Sequence, residues 1–386
     1  MEVLQGFHAR FRGLFDSLEI RLKQDRKQAE DDLEAHFHAV ETVLFKTALP
    51  SISPRVKYSL QRFCDVSALL AALKQPAGDA GDSDPPRSKL EVWQDLKVLS
   101  FARAAAAVSS LAVVSMQMRL MLTVLSRQLF LERAGEGVAG PPGALGGPRL
   151  GIEAQEFFLS LAERGFVRRG MGAMVERLKA TARETVGSLA LGDAMDAPQT
   201  RATLAALGDG AARRVRRGDF SFCEAETDPS IHRNESNEST EQFWRDTLLP
   251  RDETVVAAFR ERRSLDAASG GSASGADFFD DAELALVLRM AREVRTAAST
   301  RAFADALGDA TARAWDRFAA DAEDALFPHR GGGHEDTSRD AADAVPVAKL
   351  VPAVSNLAGQ TLADPRGVFG AVASCPKVQE LAREMW

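Results

Sequence analysis

The sequence predicts an all-α protein, a bundle of long helices around one central helix of about 45 residues. Three observations carry that prediction. About one residue in six is alanine, the strongest helix former. Apolar side chains recur at spacings of three and four through segments of about 20 to 45 residues, the period of helices with a buried face. Aromatic residues make up only 7% of the chain and tyrosine occurs once, at Tyr58, so the residue types that fill strands are scarce. The 386 residues are 45% apolar and 27% charged with a formal charge of −7, a balance that builds a core and excludes pervasive disorder or collagen-like repetition.

The first predicted helix runs from about Val3 to Thr47. Leu4, Phe7, Phe11, Leu14, Phe15, Leu18 and Leu22 form one stripe, while Arg10, Arg12, Arg21, Lys23 and Arg26 occupy much of the remainder. Such a helix either packs on a neighbour or lies on a membrane surface. A second helix is expected over Pro54 to Leu73, and the Pro- and Asp-rich stretch Pro76 to Pro86 then breaks the pattern. The central helix starts at Ser88. In the sequence Ser88-Lys89-Leu90-Glu91 the hydroxyl can accept from the Glu91 N–H while the Glu91 carboxylate reaches back, a capping box. No proline or glycine intervenes before about Glu132, which gives roughly 67 Å of helix at 1.5 Å per residue. Its centre, Ala104 to Leu125, is apolar around nearly the whole circumference and must be surrounded by other helices.

Beyond the Gly- and Pro-rich loop Ala134 to Pro148, further helices are expected over Glu153 to Leu191, Gln199 to Arg217 and Glu241 to Arg263. The last four are expected over Asp280 to Arg295, Arg301 to Leu326, Val347 to Ala363 and Lys377 to Met385. Loops at Asp219 to Thr240, Ala267 to Gly275 and Pro328 to Asp340 separate them. No repeat of fixed period emerges, which argues against a regular repeat array.

Several chemistries find no footing. Cys64, Cys223 and Cys375 are odd in number and far apart, which implies a reducing compartment and no disulfide framework. The start of the chain lacks the apolar run of a secretory signal, so the sequons at Asn234 and Asn237 are expected to stay unmodified. The longest uncharged apolar run, Ala104 to Met118, is shorter than the ~20 residues of a membrane-spanning helix, and no span is expected. Gly135-Glu136-Gly137-Val138-Ala139-Gly140 matches a dinucleotide fingerprint by letter. A long helix precedes it and Pro141-Pro142-Gly143 follows, the wrong context for a phosphate cradle. His36 and His38 are two apart and diverge on a helix, and His329 and His334 flank a glycine run expected to be a solvated loop. Arg213, Arg214, Arg216 and Arg217 precede Gly218, where cations complement a helix C-terminus, and a nucleic-acid role is not favoured. No enzyme, metal, cofactor or small-molecule substrate is expected.

The central helix carries a resemblance. Lys89-Leu90-Glu91-Val92-Trp93-Gln94-Asp95-Leu96-Lys97-Val98-Leu99-Ser100-Phe101-Ala102-Arg103 is strongly similar to the K-L-E-I-W-E-D-L-K-I-I-S-F-T-R string of the peroxisomal biogenesis factor 3 family. Val345-Pro346-Val347-Ala348-Lys349-Leu350-Val351-Pro352 resembles that family's L-P-L-A-K-I-I-P segment. Ala72-Leu73-Lys74 and Gly187-Ser188-Leu189-Ala190-Leu191 are weaker likenesses. The resemblance implies an elongated, twisted helical domain on the cytosolic face of the peroxisomal membrane. The resemblance implies that such a domain acts there as the docking receptor for peroxisomal biogenesis factor 19, the chaperone that delivers peroxisomal membrane proteins. It further implies that an amphipathic helix of that partner enters an apolar groove at the end away from the membrane, where Trp93, Leu96, Lys89, Lys74, Lys349 and Leu73 match the family's groove residues.

The spacing agrees with such a groove. Lys89 precedes Trp93 by four residues and Leu96 and Lys97 follow it by three and four, so an indole, a leucine and flexible charged stems share one helical face. A tryptophan in the first turns of a capped helix is expected to be partly exposed, as a helix-in-groove anchor requires. The competing reading is a helical scaffold or organelle tether with Trp93 in its core. The family carries a membrane-spanning segment ahead of its soluble domain, whereas an amphipathic stretch stands at Met1 to Lys27. Residues 1–47 are accordingly expected to form a membrane-proximal helix and 48–386 a single docking domain.

Overall fold

The structure, a computed structural model, describes residues 39–74, 88–136, 150–218, 240–268, 280–327 and 344–385. Most of the first predicted helix, His36, His38, Gly137 to Gly140 of the glycine motif, Cys223, His329, His334 and nearly all the predicted loop residues lie outside them.

A π-wound turn at Leu44–Ala48 leads into α1 (Leu49–Phe63), and α2 (Ser67–Lys74) follows a break at residues 64–66. The single helix expected over Pro54 to Leu73 is therefore two. The Asp65 carboxylate accepts from the Ser67 N–H at 2.8 Å, a local turn that competes with helix continuation. Val40, Val43, Leu44 and Ala48 already belong to the core. Helix α3 (Lys89–Glu136) is the predicted spine, 48 residues or about 72 Å long. Its capping box is formed: the Ser88 N–H donates to Glu91 Oε2 at 2.9 Å and the Glu91 N–H to Ser88 Oγ at 3.2 Å. Every residue from Ala104 to Leu125 is buried, as the all-round apolar pattern required.

Helix α4 (Ile152–Ala162), a π-wound stretch at Glu163–Gly170 and α5 (Met171–Val186) form one winding run where a single helix was expected to Leu191. Strand β1 (Ala194–Met195) precedes α6 (Ala197–Arg217), which opens on an Asp196–Gln199 capping box and closes on Gly218 at φ 56°, the glycine stop the sequence predicts. Arg214 donates to Thr181 and Glu184, and Arg216 pairs with Asp309, so this basic run serves packing between helices. The helix expected over Glu241 to Arg263 is interrupted: α7 (Thr240–Leu248) and α8 (Asp252–Ala268) flank Pro250. Proline lacks the amide for the helix ladder and disfavours helical backbone at Leu249. Arg295 holds the corner by donating to the Pro250 carbonyl at 2.6 Å and pairing with Asp252.

Helices α9 (Asp281–Ala298) and α10 (Arg301–Leu326) follow. Strand β2 (Val345–Pro346) pairs antiparallel with β1, and α11 (Val347–Ala363), α12 (Arg366–Ala373) and α13 (Pro376–Glu384) complete the chain. The two-residue strand pair and α12 have no signal in the apolar spacing. Helices α1, α2, α5, α10 and α11 all pack against α3. An eighteen-residue window of α3 is long and apolar enough to cross a membrane, yet 83% of it is buried inside the protein. That apolar surface is consumed by the surrounding helices.

Candidate partner-docking site

Three stretches of the chain, two of them neighbours in sequence and one distant, meet at the N-terminal end of α3. The first is α3 itself, where burial rises step by step along one side. Leu90 is 64% exposed, Trp93 is half-buried against the core, Leu96 is 5% exposed and Lys97 is enclosed completely. Leu90, Trp93 and Leu96 follow one another at intervals of three and Lys97 lies four beyond Trp93, so the first two turns run from open surface into the core. Of the three tryptophans in the described residues, Trp244 and Trp315 are fully interior, Trp244 donating to the Val215 carbonyl at 3.1 Å. Trp93 alone among them reaches the surface.

The second stretch is α2, which lies against α3. Its sequence, SALLAALK, is apolar except at its ends, yet it has no buried residue. Leu69 and Leu73 are half-buried against the core, Leu70 is 42% exposed, and Lys74 is exposed at the C-terminal end. An apolar helix that buries one edge only leaves leucine surface exposed on a helix that packs against α3.

The third stretch is the start of α11, joined to α3 by the loop after α5. Lys97 Nζ donates to the carbonyls of Gly187 at 3.2 Å and Leu189 at 2.5 Å. The next carbonyl but one, that of Leu191, accepts from the Ala348 N–H at 3.0 Å, and the Asp193 carbonyl accepts from Val347 at 2.9 Å. Lys349 is exposed one residue further on. The weak likeness at residues 187–191 is thus the connector between the two strong ones.

Of the expected contact residues, Lys89, Lys74 and Lys349 are exposed, Trp93 and Leu73 are half-buried, and Leu96 lies beneath them as floor. Lys97 is corrected: its ammonium is taken up by backbone carbonyls and offers a partner nothing. Burial pushes its ionisation below the usual lysine range, and the nearby Asp193 carboxylate opposes that shift. Leu90 and Leu70 were not among the expected contacts. Leu90 sits three residues before Trp93, a spacing that marks it as a neighbour of the indole. Leu70 carries no comparable signal, because the break before α2 decides its direction. The site contains apolar surface, exposed ammonium groups and buried backbone clamps. Among the described residues no group of three or more His, Cys, Asp or Glu side chains converges to hold a metal ion.

Residues 16–141 match the Peroxin-3 family model, a stretch that contains α1, α2 and α3. The chain is 26% identical to Peroxisome biogenesis protein 3-2 of Arabidopsis thaliana over 186 residues, 46% of this chain and 48% of that protein. It is 27% identical to Peroxisomal biogenesis factor 3 of Homo sapiens over 183 residues, 46% of this chain and 45% of the relative. Peroxisome biogenesis protein 3-1 of Arabidopsis thaliana is 28% identical over 131 residues, 33% of this chain and 35% of that protein. The matched region thus spans about half the length of the first two relatives. Across the spine helix and about 46% of its length, the chain is thus similar to the peroxin-3 family.

Proposed function

We propose that this chain is a peroxisome biogenesis factor of the peroxisomal membrane, facing the cytosol. It acts as docking receptor for peroxisomal biogenesis factor 19 by taking an amphipathic helix of that chaperone at the α2 and α3 end. The observation that supports it best is the pairing of Trp93 and Leu90 with an apolar α2 that buries none of its residues. An amphipathic helix supplies apolar side chains every third or fourth residue to cover such a surface, and Lys74, Lys89 and Lys349 favour an acidic flank on it. The anchor is a large aromatic side chain, the residue type that most often dominates binding energy.

The placement within the bundle is consistent with a membrane at the other end. Glu41 pairs with Arg119 at 2.7 Å, so the described chain begins beside a residue 26 positions beyond Trp93, about 39 Å along α3. Residues 39–47, the described part of the stretch read as membrane-proximal, therefore adjoin the bundle far from the docking end.

The test is fluorescence anisotropy with a synthetic peptide of the chaperone's N-terminal amphipathic helix. Trp93→Ala is expected to weaken binding at least about tenfold, or ~1.4 kcal/mol. Leu90→Glu is expected to do the same with unchanged thermal unfolding, because Leu90 is already 64% exposed. Binding of both variants within about twofold of wild type, under roughly 0.4 kcal/mol, would refute the assignment. A scaffold with Trp93 in its core gives the opposite pair: lower thermal stability for Trp93→Ala and no peptide bound.

A further inference from the structure

Resting on the docking reading above, we propose that Lys97 is a positioning residue for the site. It pins the 187–191 loop, and through that loop the Lys349 turn of α11, to the Trp93 helix. An ammonium removed from water is costly unless it is hydrogen-bonded, and a leucine or methionine would fill this enclosed position without that cost. The position is explained by what the ammonium holds. Gly187 and Leu189 follow directly on α5, where unpaired carbonyls and the negative end of the helix dipole favour a cation.

The loop held in this way is itself a closed unit. The Ala190 N–H donates to Asp193 Oδ2 at 2.7 Å, the Asp193 N–H returns to the Ala190 carbonyl at 3.1 Å, and the Leu189 N–H reaches the Val186 carbonyl at 3.3 Å. Its outer side serves α11. That helix has Pro346 as N-cap and no side-chain cap, so its first amides depend on other partners. Val347 and Ala348 find them in the Asp193 and Leu191 carbonyls, and the pairing of Ala194 with Pro346 and Met195 with Val345 continues the seam. A continuous set of hydrogen bonds thus runs from Lys97, one turn beyond Trp93, to the residue before Lys349. Two walls of a docking surface that come from opposite ends of the sequence keep a fixed spacing through it.

The experiment uses the full chain with Lys97→Met, Asp193→Ala and Trp93→Ala, read by affinity for the chaperone helix peptide and by amide hydrogen exchange. Lys97→Met is expected to weaken binding about tenfold and to speed exchange at Val347 and Ala348, with Ala104 to Leu125 as protected as in wild type. Asp193→Ala opens the same loop from its exposed side and is expected to act in the same direction, which serves if Lys97→Met fails to fold. If Trp93→Ala abolishes binding while the folded loop variants bind within about twofold of wild type, the pin is refuted and the docking reading stands. Faster exchange with unchanged affinity refutes it too, since Lys97 is then structural only. Unaltered binding by Trp93→Ala removes the docking reading and the pin with it.

Discussion

Gly165 lies in the π-wound stretch between α4 and α5, directly under the end of α7. A Cβ at this residue would stand 2.7 Å from the Leu248 carbonyl carbon and 2.9 Å from the Leu249 Cα, and closer still to the Leu248 oxygen. All three are backbone atoms and cannot rotate aside as a side chain would. Overpacking of this kind costs about 1–3 kcal/mol, with the upper end expected for a backbone clash. A second cost adds to it, because the Leu248 carbonyl accepts from Gln117 Nε2 at 2.5 Å in the centre of α3. Displacing that carbonyl leaves the buried amide with only the Ala162 carbonyl at 3.3 Å, a loss of roughly 1–3 kcal/mol. Gly165→Ala is therefore expected to destabilise the chain by about 2–6 kcal/mol. Gly359→Ala is the matched control. It lies within α11, nothing stands within 4 Å of its added Cβ, and alanine should stabilise the helix by about 0.5–1 kcal/mol. Urea unfolding followed by far-UV circular dichroism gives both midpoints. A Gly165→Ala variant within about 0.5 kcal/mol of wild type would show that α7 is not seated against this turn and would refute the reasoning.

Other consequences are open to equally direct measurement. Burial pushes the Cys64 thiol up to about 11 and Cys375 is also buried, so iodoacetamide near pH 8 should modify neither in the folded chain and both after unfolding in urea. Labelling of native Cys64 at the rate of a free cysteine would contradict that. Burial of Asp252 works against its ionisation, but hydrogen bonds from Arg295 and Arg292 overcome it and hold the carboxyl below its usual range. Its stabilising contribution is fully present above the ordinary aspartate value near ~3.9 and is lost as pH falls through the lower folded value. Asp252→Asn should therefore reduce stability near neutrality and flatten the acid limb of a stability-against-pH curve, and an unchanged limb would contradict the linkage. Ser88→Ala removes the acceptor for the Glu91 N–H and should cost about 1 kcal/mol, seen as faster amide exchange confined to the first turn of α3.

The sequence made the skeleton legible because α3 obeys local rules throughout. Its capping box, its freedom from proline and glycine and its all-round apolar centre each name the same element, and all three are realised. Arg301–Leu326 and Val347–Ala363 were legible at both ends for similar reasons. Elements failed to show where apolar period and backbone chemistry disagree. The apolar spacing runs through Pro250 and through residues 64–66, and only the missing amide of proline and the Asp65 carboxylate reveal the breaks. The π-wound turns carry no apolar-period signature. At the second of them Gly165 lies close against the Leu248 backbone, a tertiary contact that local sequence does not show.

The candidate site shows the same division in finer grain. Helical spacing correctly put Trp93, Leu96 and Lys97 on one side of α3, but spacing says which residues are neighbours and not what covers them. The cover differs residue by residue, because the 187–191 loop arrives over Lys97 and stops short of Leu90. A lysine assigned to the surface by its charge is for that reason interior, and a leucine assigned to nothing in particular is exposed. This inversion bears on the choice between docking receptor and scaffold. A scaffold gains stability from sealing the end of its spine, and a buried Leu90 would contribute roughly 1.5–3 kcal/mol relative to an exposed one. The fold instead encloses an ammonium and leaves Leu90, Leu70 and part of Trp93 open. An apolar surface kept open beside a rigidly clamped loop favours a second molecule as its cover, and an amphipathic helix with an acidic flank has the chemistry to supply it.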